Sequence, residues 1–180
     1  MIIPAIRVHS RRKFVSIPAV LHLSDITIIY DCREKLPWNL EGLRMERGRL
    51  RTADYTIRGM EDFVRIERKS GVDFVQCCGR SRNRWILAAK RLRTFPYRCV
   101  IVESSWQELS KGGWRGQVSP EVVLSSIASW SAEYAPFLLA GDRAGAEDCA
   151  RRFLMACARH RLRELRAFGA ALGKEEPGRL

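Results

Sequence analysis

Short apolar segments rich in β-branched residues recur along this chain and alternate with longer amphipathic segments. The segment 26–30 reads Ile-Thr-Ile-Ile-Tyr and ends at the polar cluster Asp31–Glu34, which predicts a buried strand with charged groups at its carboxyl end. Two further short strands, 54–57 and 63–67, flank a turn that contains Gly59, and they are predicted to pair as a hairpin.

Helices are predicted between and after these strands. The spacing of Ser70 and Asp73 is that of an N-terminal cap, which predicts a helix that ends near Gly79. A buried strand is predicted over 99–103. The other predicted elements are a helix over 83–93 with Trp85, Leu87, Ala88 and Leu92 available to face inward, a helix that begins at the Ser119-Pro120 cap, a strand over 136–140, and a helix over 144–172 with Leu154, Ala158, Leu162, Leu165 and Phe168 along one face. This alternation of strands and helices predicts a single α/β layer architecture.

The length and composition suit one domain of ordinary size. The chain has 180 residues, and a hydrophobic content of 46% is enough for a core. We divide it into a basic N-terminal extension (1–24), one domain (25–172) and a short tail (173–180), with core motifs over 26–105 and a completing strand and helices over 106–172. No apolar run reaches the roughly 18–20 residues of a membrane span, and the N-terminus makes a poor secretory signal, so we expect a cytoplasmic location without a membrane partner.

Positive charge dominates the composition and is unevenly distributed. The formal net charge is +12, and the segment 80–98 carries seven cations and no acid. Such a field attracts polyanions, which predicts a nucleic-acid surface rather than an ordinary solvated helix face. The candidate DNA-binding residues are Arg80, Arg82, Arg84, Lys90, Arg91 and Arg93. The interleaved aromatic residues Trp85, Phe95 and Tyr97 could stack on unpaired bases, although a place in the core is favoured for them.

Cysteine and histidine spacing gives no support to zinc chemistry. The six cysteines form no CxxC pair, and the three histidines form neither HxH nor HExxH. We therefore expect reduced, mostly buried cysteines.

Acidic residues at predicted strand ends stand out in so basic a chain. Asp31 ends the first strand, Asp54 begins the hairpin and Glu67 ends it. Alternation along a strand places Glu67 and Lys69 on one face and Arg68 on the other. Converging carboxylates can hold Mg²⁺, and a neighbouring lysine can orient water or stabilise charge on a phosphate. The alternative from spacing alone is a surface hairpin with ordinary ion pairs.

The stretch 66–74, Ile-Glu-Arg-Lys-Ser-Gly-Val-Asp-Phe, resembles the ERKxxxD signature of the XPF-type structure-specific nucleases, the ERCC nuclease domain. The flanking blocks agree in order and spacing: Asp31–Glu34 resembles D-x-R-E, Ala53–Ile57 resembles G-D-Y-x-I, Arg82–Trp85 resembles R-x-R-F, and Val100–Glu103 resembles the strand that follows. The resemblance covers about residues 26–105, and the rest is similar to short stand-alone members found in bacteria and their phages.

This resemblance implies a restriction-endonuclease-like α/β/α sandwich of the PD-(D/E)XK type, with a central mixed sheet and a C-terminal helical segment. It also implies cleavage of branched or flapped DNA that depends on Mg²⁺ or Mn²⁺. By the same resemblance Asp54, Glu67 and the carbonyl of Arg68 would be metal ligands, and Lys69 would be the catalytic lysine. The supporting site residues would be Asp31, Arg33, Arg68 and Asp73.

Simpler roles compete for two of these residues, and two positions depart from the family pattern. Asp73 could serve only as a helix cap, and Arg33 could pair with Glu34 or Glu41 on the surface. Ala53 replaces a glycine, which would be strained if the position needs a positive φ. Ala88 stands where many members have a glutamate.

We therefore expect a metal-dependent DNA endonuclease that acts on branched, flapped or otherwise structured DNA. The alternatives are a catalytically weak DNA-binding module of the same fold and an RNA-directed nuclease. DNA is the expected partner, and a homodimer is left open.

Overall fold

A six-stranded mixed sheet forms the centre of the protein, seen here in a computed structural model that describes residues 22–173. The predicted basic extension lies almost wholly outside the described residues, as does nearly all of the predicted tail. The strands are β1 (Thr27–Asp31), β2 (Arg44–Gly48), β3 (Tyr55–Ile57), β4 (Val64–Ser70), β5 (Tyr97–Glu103) and β6 (Phe137–Leu139), in the spatial order β2-β1-β3-β4-β5-β6.

Helices cover both faces of this sheet. A short 3₁₀ turn precedes β1, and the α-helices are α1 (Gly71–Cys78), α2 (Arg82–Leu92), α3 (Trp106–Lys111), α4 (Pro120–Glu133) and α5 (Arg143–Gly173). One core layer packs under α5 and includes Ile28, Tyr55 and Ile101. The other packs under α1, α2 and α4 and includes Val100 and Trp130. The neighbours Val100 and Ile101 enter opposite layers because side chains alternate along a strand, and the predicted α/β/α sandwich is confirmed.

Most predicted elements are confirmed within a few residues. The hairpin is β3–β4, paired antiparallel with Tyr55 opposite Ile66. β4 continues to Ser70, three residues beyond its predicted end, because its carboxyl end also pairs with β5. The sequence missed β2 and α3. β2 is a polar edge strand with the sequence Arg-Met-Glu-Arg-Gly, so it lacks the apolar alternation that marks a buried strand.

The predicted apolar faces of α2 and α5 are only partly buried. Leu165 and Phe168 on α5 are 41% and 63% exposed. A helix of 31 residues is about 46 Å long, whereas a seven-residue strand spans about 23 Å, so α5 extends beyond the sheet that buries its first half. On α2, Leu87 is 58% exposed, while Trp85 is buried as the core alternative predicts. No helix among the described residues is long and apolar enough to cross a bilayer.

The cysteines behave as predicted. All six are free thiols, and Cys77, Cys78, Cys99 and Cys157 are buried. Burial raises the pKa of Cys78 to about 11, which keeps this thiol protonated and unreactive near neutral pH.

Ala53 has the left-handed backbone conformation that its position in the sequence motif suggested. Its φ is +61°, and it is the one non-glycine residue with positive φ among residues 22–173. This conformation costs an L-residue roughly 1–2 kcal/mol. The chain therefore keeps a strained residue immediately before Asp54.

We predict that Ala53→Gly leaves the free energy of unfolding unchanged or raises it by up to about 1 kcal/mol. Relief of the strain offsets the lost methyl group and the greater entropy of glycine in the unfolded chain. The control is Ala89→Gly in the middle of α2, where Ala89 is fully buried and the change should cost roughly 1–2 kcal/mol. Urea titration of both variants measures the difference, and equal destabilisation would contradict the prediction.

Candidate active site

Five charged residues meet at one edge of the sheet because of the strand directions. β1, β4 and β5 all point the same way, since two antiparallel pairings separate β1 from β4 and β4 pairs parallel with β5. Asp31 ends β1, Glu67 and Lys69 lie near the end of β4, and Glu103 ends β5. Asp54 directly precedes β3, which begins at this same edge. The topology thus collects the acids that the sequence predicts at strand ends.

Asp31 holds two segments in place, the one that follows β1 and the one that follows β2. Its side chain is 1% exposed and accepts hydrogen bonds from the backbone N–H of Leu50 (2.7 Å) and of Arg33 (2.9 Å), and from Arg33 Nε (2.5 Å). Burial alone would raise the pKa of Asp31, but these hydrogen bonds outweigh it and hold the pKa below its ordinary value. The Asp31 carboxylate is therefore occupied by the protein itself. Arg33 pairs with Asp31 rather than with Glu34 or Glu41 and also donates to the Leu50 carbonyl (3.0 Å).

Asp54 and Glu67 form the acidic pair at the centre of the site. Asp54 Oδ2 accepts the backbone N–H of Arg68 at 2.8 Å, at a point where β4 has extended beyond its pairing with β3. Since the N–H and C=O of a strand residue point to the same side, the carbonyl of Arg68 also faces Asp54. Burial and the charge of Glu67 raise the pKa of Asp54 to about 7. The two carboxylates therefore repel each other across a partly dry site.

Lys69 compensates this negative charge. Its ammonium group contacts Glu67 Oε1 and lies 5.3 Å from the centre of the Trp85 ring. Burial alone would lower the pKa of Lys69, but Glu67 and Asp54 outweigh it and raise the pKa, so Lys69 is charged at neutral pH. The predicted face shared by Glu67 and Lys69 is thus confirmed as a contact.

The side chain of Arg68 lies on the opposite face of β4, as the alternation predicts. It donates to Glu103 (Nε, 2.9 Å), to Glu34 (2.8 Å) and to the Leu36 carbonyl (2.7 Å), and it lies over the Trp38 ring at 5.6 Å. Trp38 Nε1 also donates to Glu103 at 2.7 Å. Sequence reasoning missed Glu103, although its position at the end of a strand next to β4 is the signal that could have found it.

Asp73 lies in the first turn of α1 and supports the Ser70 cap of this helix, as its spacing predicts. Ser70 Oγ accepts the backbone N–H of Asp73 (3.1 Å) and donates to Asp73 Oδ2 (2.8 Å). Asp73 is exposed on the wall of a cleft of about 320 Å³ that Arg33, Glu34 and Arg68 also line. A catalytic role for Asp73 stays a prediction.

The predicted DNA-binding residues, which lie on α2 or directly beside it, separate into two groups. Arg82 is half-buried, donates to Ser126 Oγ (3.1 Å) and lies over the Trp130 ring at 5.0 Å, so its guanidinium is engaged within the protein. The other five are exposed: Arg80, Arg84, Lys90, Arg91 and Arg93. Ala88, the second departure from the family pattern, is half-buried on α2.

The donor atoms at this edge suit a small hard cation. Within residues 22–173 no group of three or more His, Cys, Asp or Glu side chains is arranged to hold a metal. The available oxygens are those of Asp54, Glu67 and the Arg68 carbonyl. Mg²⁺ is commonly bound by one or two carboxylates while keeping several waters, so this sparse set fits it. The mutual repulsion that raises the pKa of Asp54 is the electrostatic condition that a cation would relieve.

We predict that Asp54→Asn stabilises the metal-free protein at pH 8, by on the order of 2 kcal/mol, and changes its stability little near pH 4. The folded-state pKa of about 7 lies above the unfolded value, so the folded chain keeps a proton that the unfolded chain has lost, and the parent loses stability as the pH rises from about 4 to 7. Mg²⁺ should raise the melting temperature of the parent more than that of the variant.

The control for this prediction is Asp148→Asn. Asp148 is paired with Arg151 and Arg152 on α5, and hydrogen bonds from Arg152 and Arg151 lower its pKa, so its removal should give no gain at pH 8. Thermal unfolding across the pH range measures both variants. An Asp54→Asn protein less stable than its parent at pH 8 would contradict the prediction.

Comparison with known proteins finds solved structures of similar fold. No protein-family model matches the chain, and no curated protein does. Two solved structures of XPF from Aeropyrum pernix are similar to it. The first has a TM-score of 0.58 and 17% identity over 86% of this chain, and the second, a complex with DNA, has a TM-score of 0.56 and 20% identity over 86%.

The chain spans 64% of the length of the first of these XPF chains and 76% of the second. The predicted restriction-endonuclease-like α/β/α class agrees with the mixed six-stranded sheet covered by helices on both faces. The protein therefore has the fold of an XPF-type nuclease domain.

Proposed function

We propose that this protein is a metal-dependent DNA endonuclease that hydrolyses phosphodiester bonds in branched, flapped or otherwise structured DNA. The observation that carries the proposal is the meeting of Asp54, Glu67 and Lys69 at one sheet edge. A DNA substrate is supported by the fold of XPF from Aeropyrum pernix, one structure of which is a complex with DNA.

In this proposal Asp54, Glu67 and the Arg68 carbonyl hold Mg²⁺ or Mn²⁺. Such a cation supplies Lewis-acid polarisation of the phosphate and compensates the charge that develops on it. Lys69 stands beside the two carboxylates as a charged donor, able to orient the attacking water or to stabilise the phosphoryl oxygens. Asp31 and the Arg68 side chain position the acidic pair and Lys69. Asp31 does so through the hydrogen bond it accepts from Leu50, and Arg68 does so through its ion pairs with Glu34 and Glu103.

The exposed cations of α2 are proposed as one surface for DNA. Arg80, Arg84, Lys90, Arg91 and Arg93 would neutralise phosphates and release counterions. Arg82 is left out because Ser126 and Trp130 already engage it. A homodimer belongs to the proposal as well, supported by the exposed Leu165 and Phe168 on α5, and sedimentation at several concentrations tests it.

The endonuclease is favoured over its two rivals for separate reasons. A binding module without activity needs no lysine in contact with a half-buried acidic pair, whereas this chain has one. An RNA-directed nuclease would need contacts to 2′-hydroxyl groups. Cleavage assays on flap, fork, Holliday and linear DNA and on the matching RNAs, with and without Mg²⁺, distinguish the three.

We predict that Asp54→Asn and Glu67→Gln each reduce cleavage by about a thousandfold or more and leave DNA affinity within about twofold. Each change keeps side-chain size but removes a charge that would hold the cation, and the basic surfaces are untouched. The matched controls Asp148→Asn and Glu164→Gln alter acids on α5, outside the candidate site. Turnover of either site variant at the rate of its control would refute the assigned ligands.

We predict that Lys69→Met lowers the single-turnover cleavage rate by about 10²–10⁴-fold without weakening Mn²⁺ binding. Removal of the Lys69 ammonium group beside Glu67 leaves the acidic pair more negative, so the affinity for the metal should stay equal or rise. Lys111→Met, at the exposed end of α3, is the control. Loss of DNA affinity with an unchanged single-turnover rate would instead make Lys69 a phosphate-binding residue.

A further inference from the structure

A second group of arginines lies next to the candidate site, on a segment that sequence reasoning did not single out. Arg47, Arg49 and Arg51 occupy alternate positions where the chain leaves β2, and all three are exposed. Leu50 between them is buried, with 6% exposure. This alternation directs Arg49 and Arg51 to the side opposite the core.

The protein holds this segment firmly. The N–H of Leu50 donates to the buried carboxylate of Asp31 (2.7 Å), and the Leu50 carbonyl accepts from Arg33 (3.0 Å). Arg47 donates to the carbonyl of Cys32 at 2.7 Å. Arg49 and Arg51 therefore project from a fixed base rather than from a loose loop, so binding through them would require little ordering of the backbone.

The space around these residues is positive and open. Cys32, Arg33, Arg49, Leu50 and Arg51 line a cavity of about 520 Å³, and no carboxylate-bearing residue is among them. Neither Arg49 nor Arg51 makes a side-chain hydrogen bond or ion pair with any residue from 22 to 173, whereas Arg33 is already paired with Asp31. Two uncompensated guanidinium groups are thus available to an anion.

The cavity lies close to the acidic pair and on a defined side of it. Arg51 precedes Asp54 by three residues, which limits their Cα separation to about 11 Å. In the sheet order, β2 and β1 lie on one side of Asp54 and Glu67, whereas β5 and β6 lie on the other, and the Trp85 ring of α2 lies 6.1 Å from the Phe137 ring on β6. A polyanion crossing the acidic pair from α2 would meet Arg51 and Arg49 next.

We propose that Arg49 and Arg51 bind the phosphodiester backbone of DNA within about five nucleotides of the phosphate that is cut, on the side of the site away from α2. The limit follows from Cα separations from Asp54 of at most about 11 Å for Arg51 and about 18 Å for Arg49, and from a rise of about 3.4 Å per nucleotide. The inference rests on the proposed endonuclease function and adds where the strand runs. Basic surfaces then lie on both sides of the acidic pair. They hold the DNA strand in place although the two carboxylates repel its phosphates.

The first test measures binding without cleavage. Arg49→Ala/Arg51→Ala is titrated against a fluorescent DNA fork by anisotropy in EDTA, from low to moderate salt. Loss of two phosphate contacts should reduce the slope of log K against log salt by about 1.8 and raise Kd roughly tenfold. Circular dichroism and thermal unfolding check that the double variant keeps the fold, to which neither arginine contributes a side-chain hydrogen bond or ion pair with residues 22–173.

The matched control is Arg44→Ala/Arg159→Ala, which also removes two positive charges, but from the other end of the molecule. Arg44 begins β2 opposite Thr27, at the far edge of the sheet. Arg159 is exposed on α5 beside His160, whose ring lies 6.3 Å from that of Tyr97 at the start of β5. This pair changes the total charge equally, so its slope should fall by less than about 0.5 if binding is local.

The second test locates the contact. Neutral methylphosphonate groups are placed one at a time around the cut position, which is mapped on the parent with Mg²⁺. Substitutions within about five nucleotides on one side should weaken binding by the parent and leave binding by Arg49→Ala/Arg51→Ala unchanged, as expected when both changes remove the same interaction.

The outcomes separate this proposal from the function on which it rests. Equal slopes for the test and control pairs, with cleavage by the parent intact, overturn the proposal alone, as does additive weakening by every methylphosphonate. If DNA binding depends on Arg49 and Arg51 but the parent never cuts DNA with Mg²⁺, the binding site is supported and the endonuclease function is overturned. A parent that does not bind the fork overturns both.

Discussion

The repulsion between Asp54 and Glu67 is the interaction on which the rest of the site depends. Two carboxylates lie side by side at the carboxyl edge of the sheet, and burial together with their mutual repulsion raises the pKa of Asp54 to about 7. Two neighbouring groups offset this negative charge. The ammonium group of Lys69 contacts Glu67, and the backbone N–H of Arg68 donates to Asp54. This repulsion lowers the stability of the folded protein, and a bound cation would relieve it.

Arg68 connects this acidic pair to the other face of the sheet. Its main chain faces Asp54, whereas its side chain joins Glu34 and Glu103 under the loop that follows β1. Trp38 completes this arrangement by stacking on Tyr55 at 4.6 Å and donating to Glu103. One residue of β4 thereby fixes both the geometry of the pair and the loop beside it, so a change to its side chain would move the site without touching a ligand atom.

The residues of the sequence motif are thus divided between the acidic pair and the groups that hold it in place. Asp31 is fully used in holding Leu50 and Arg33, and through Leu50 it fixes the segment that carries Arg49 and Arg51. Ala53 keeps a left-handed backbone directly before Asp54, which turns the chain from that segment into the site at some cost in stability. The acidic pair and the basic segment are therefore held by one continuous piece of chain.

The sequence by itself determined the local features. Apolar alternation located five of the six strands, the Ser70 cap located α1, and the ERK block located Glu67 and Lys69 on one face, because side-chain period and capping are properties of neighbouring residues. Only the tertiary structure decided which charges are free. The sequence predicts Arg82 as a DNA-binding residue, but its guanidinium is engaged with Ser126 and Trp130. The polar strand β2 leads into the segment that carries Arg49 and Arg51, a few residues before Asp54. The availability of a guanidinium depends on partners distant in sequence, and these are set by strand order and packing rather than by local pattern.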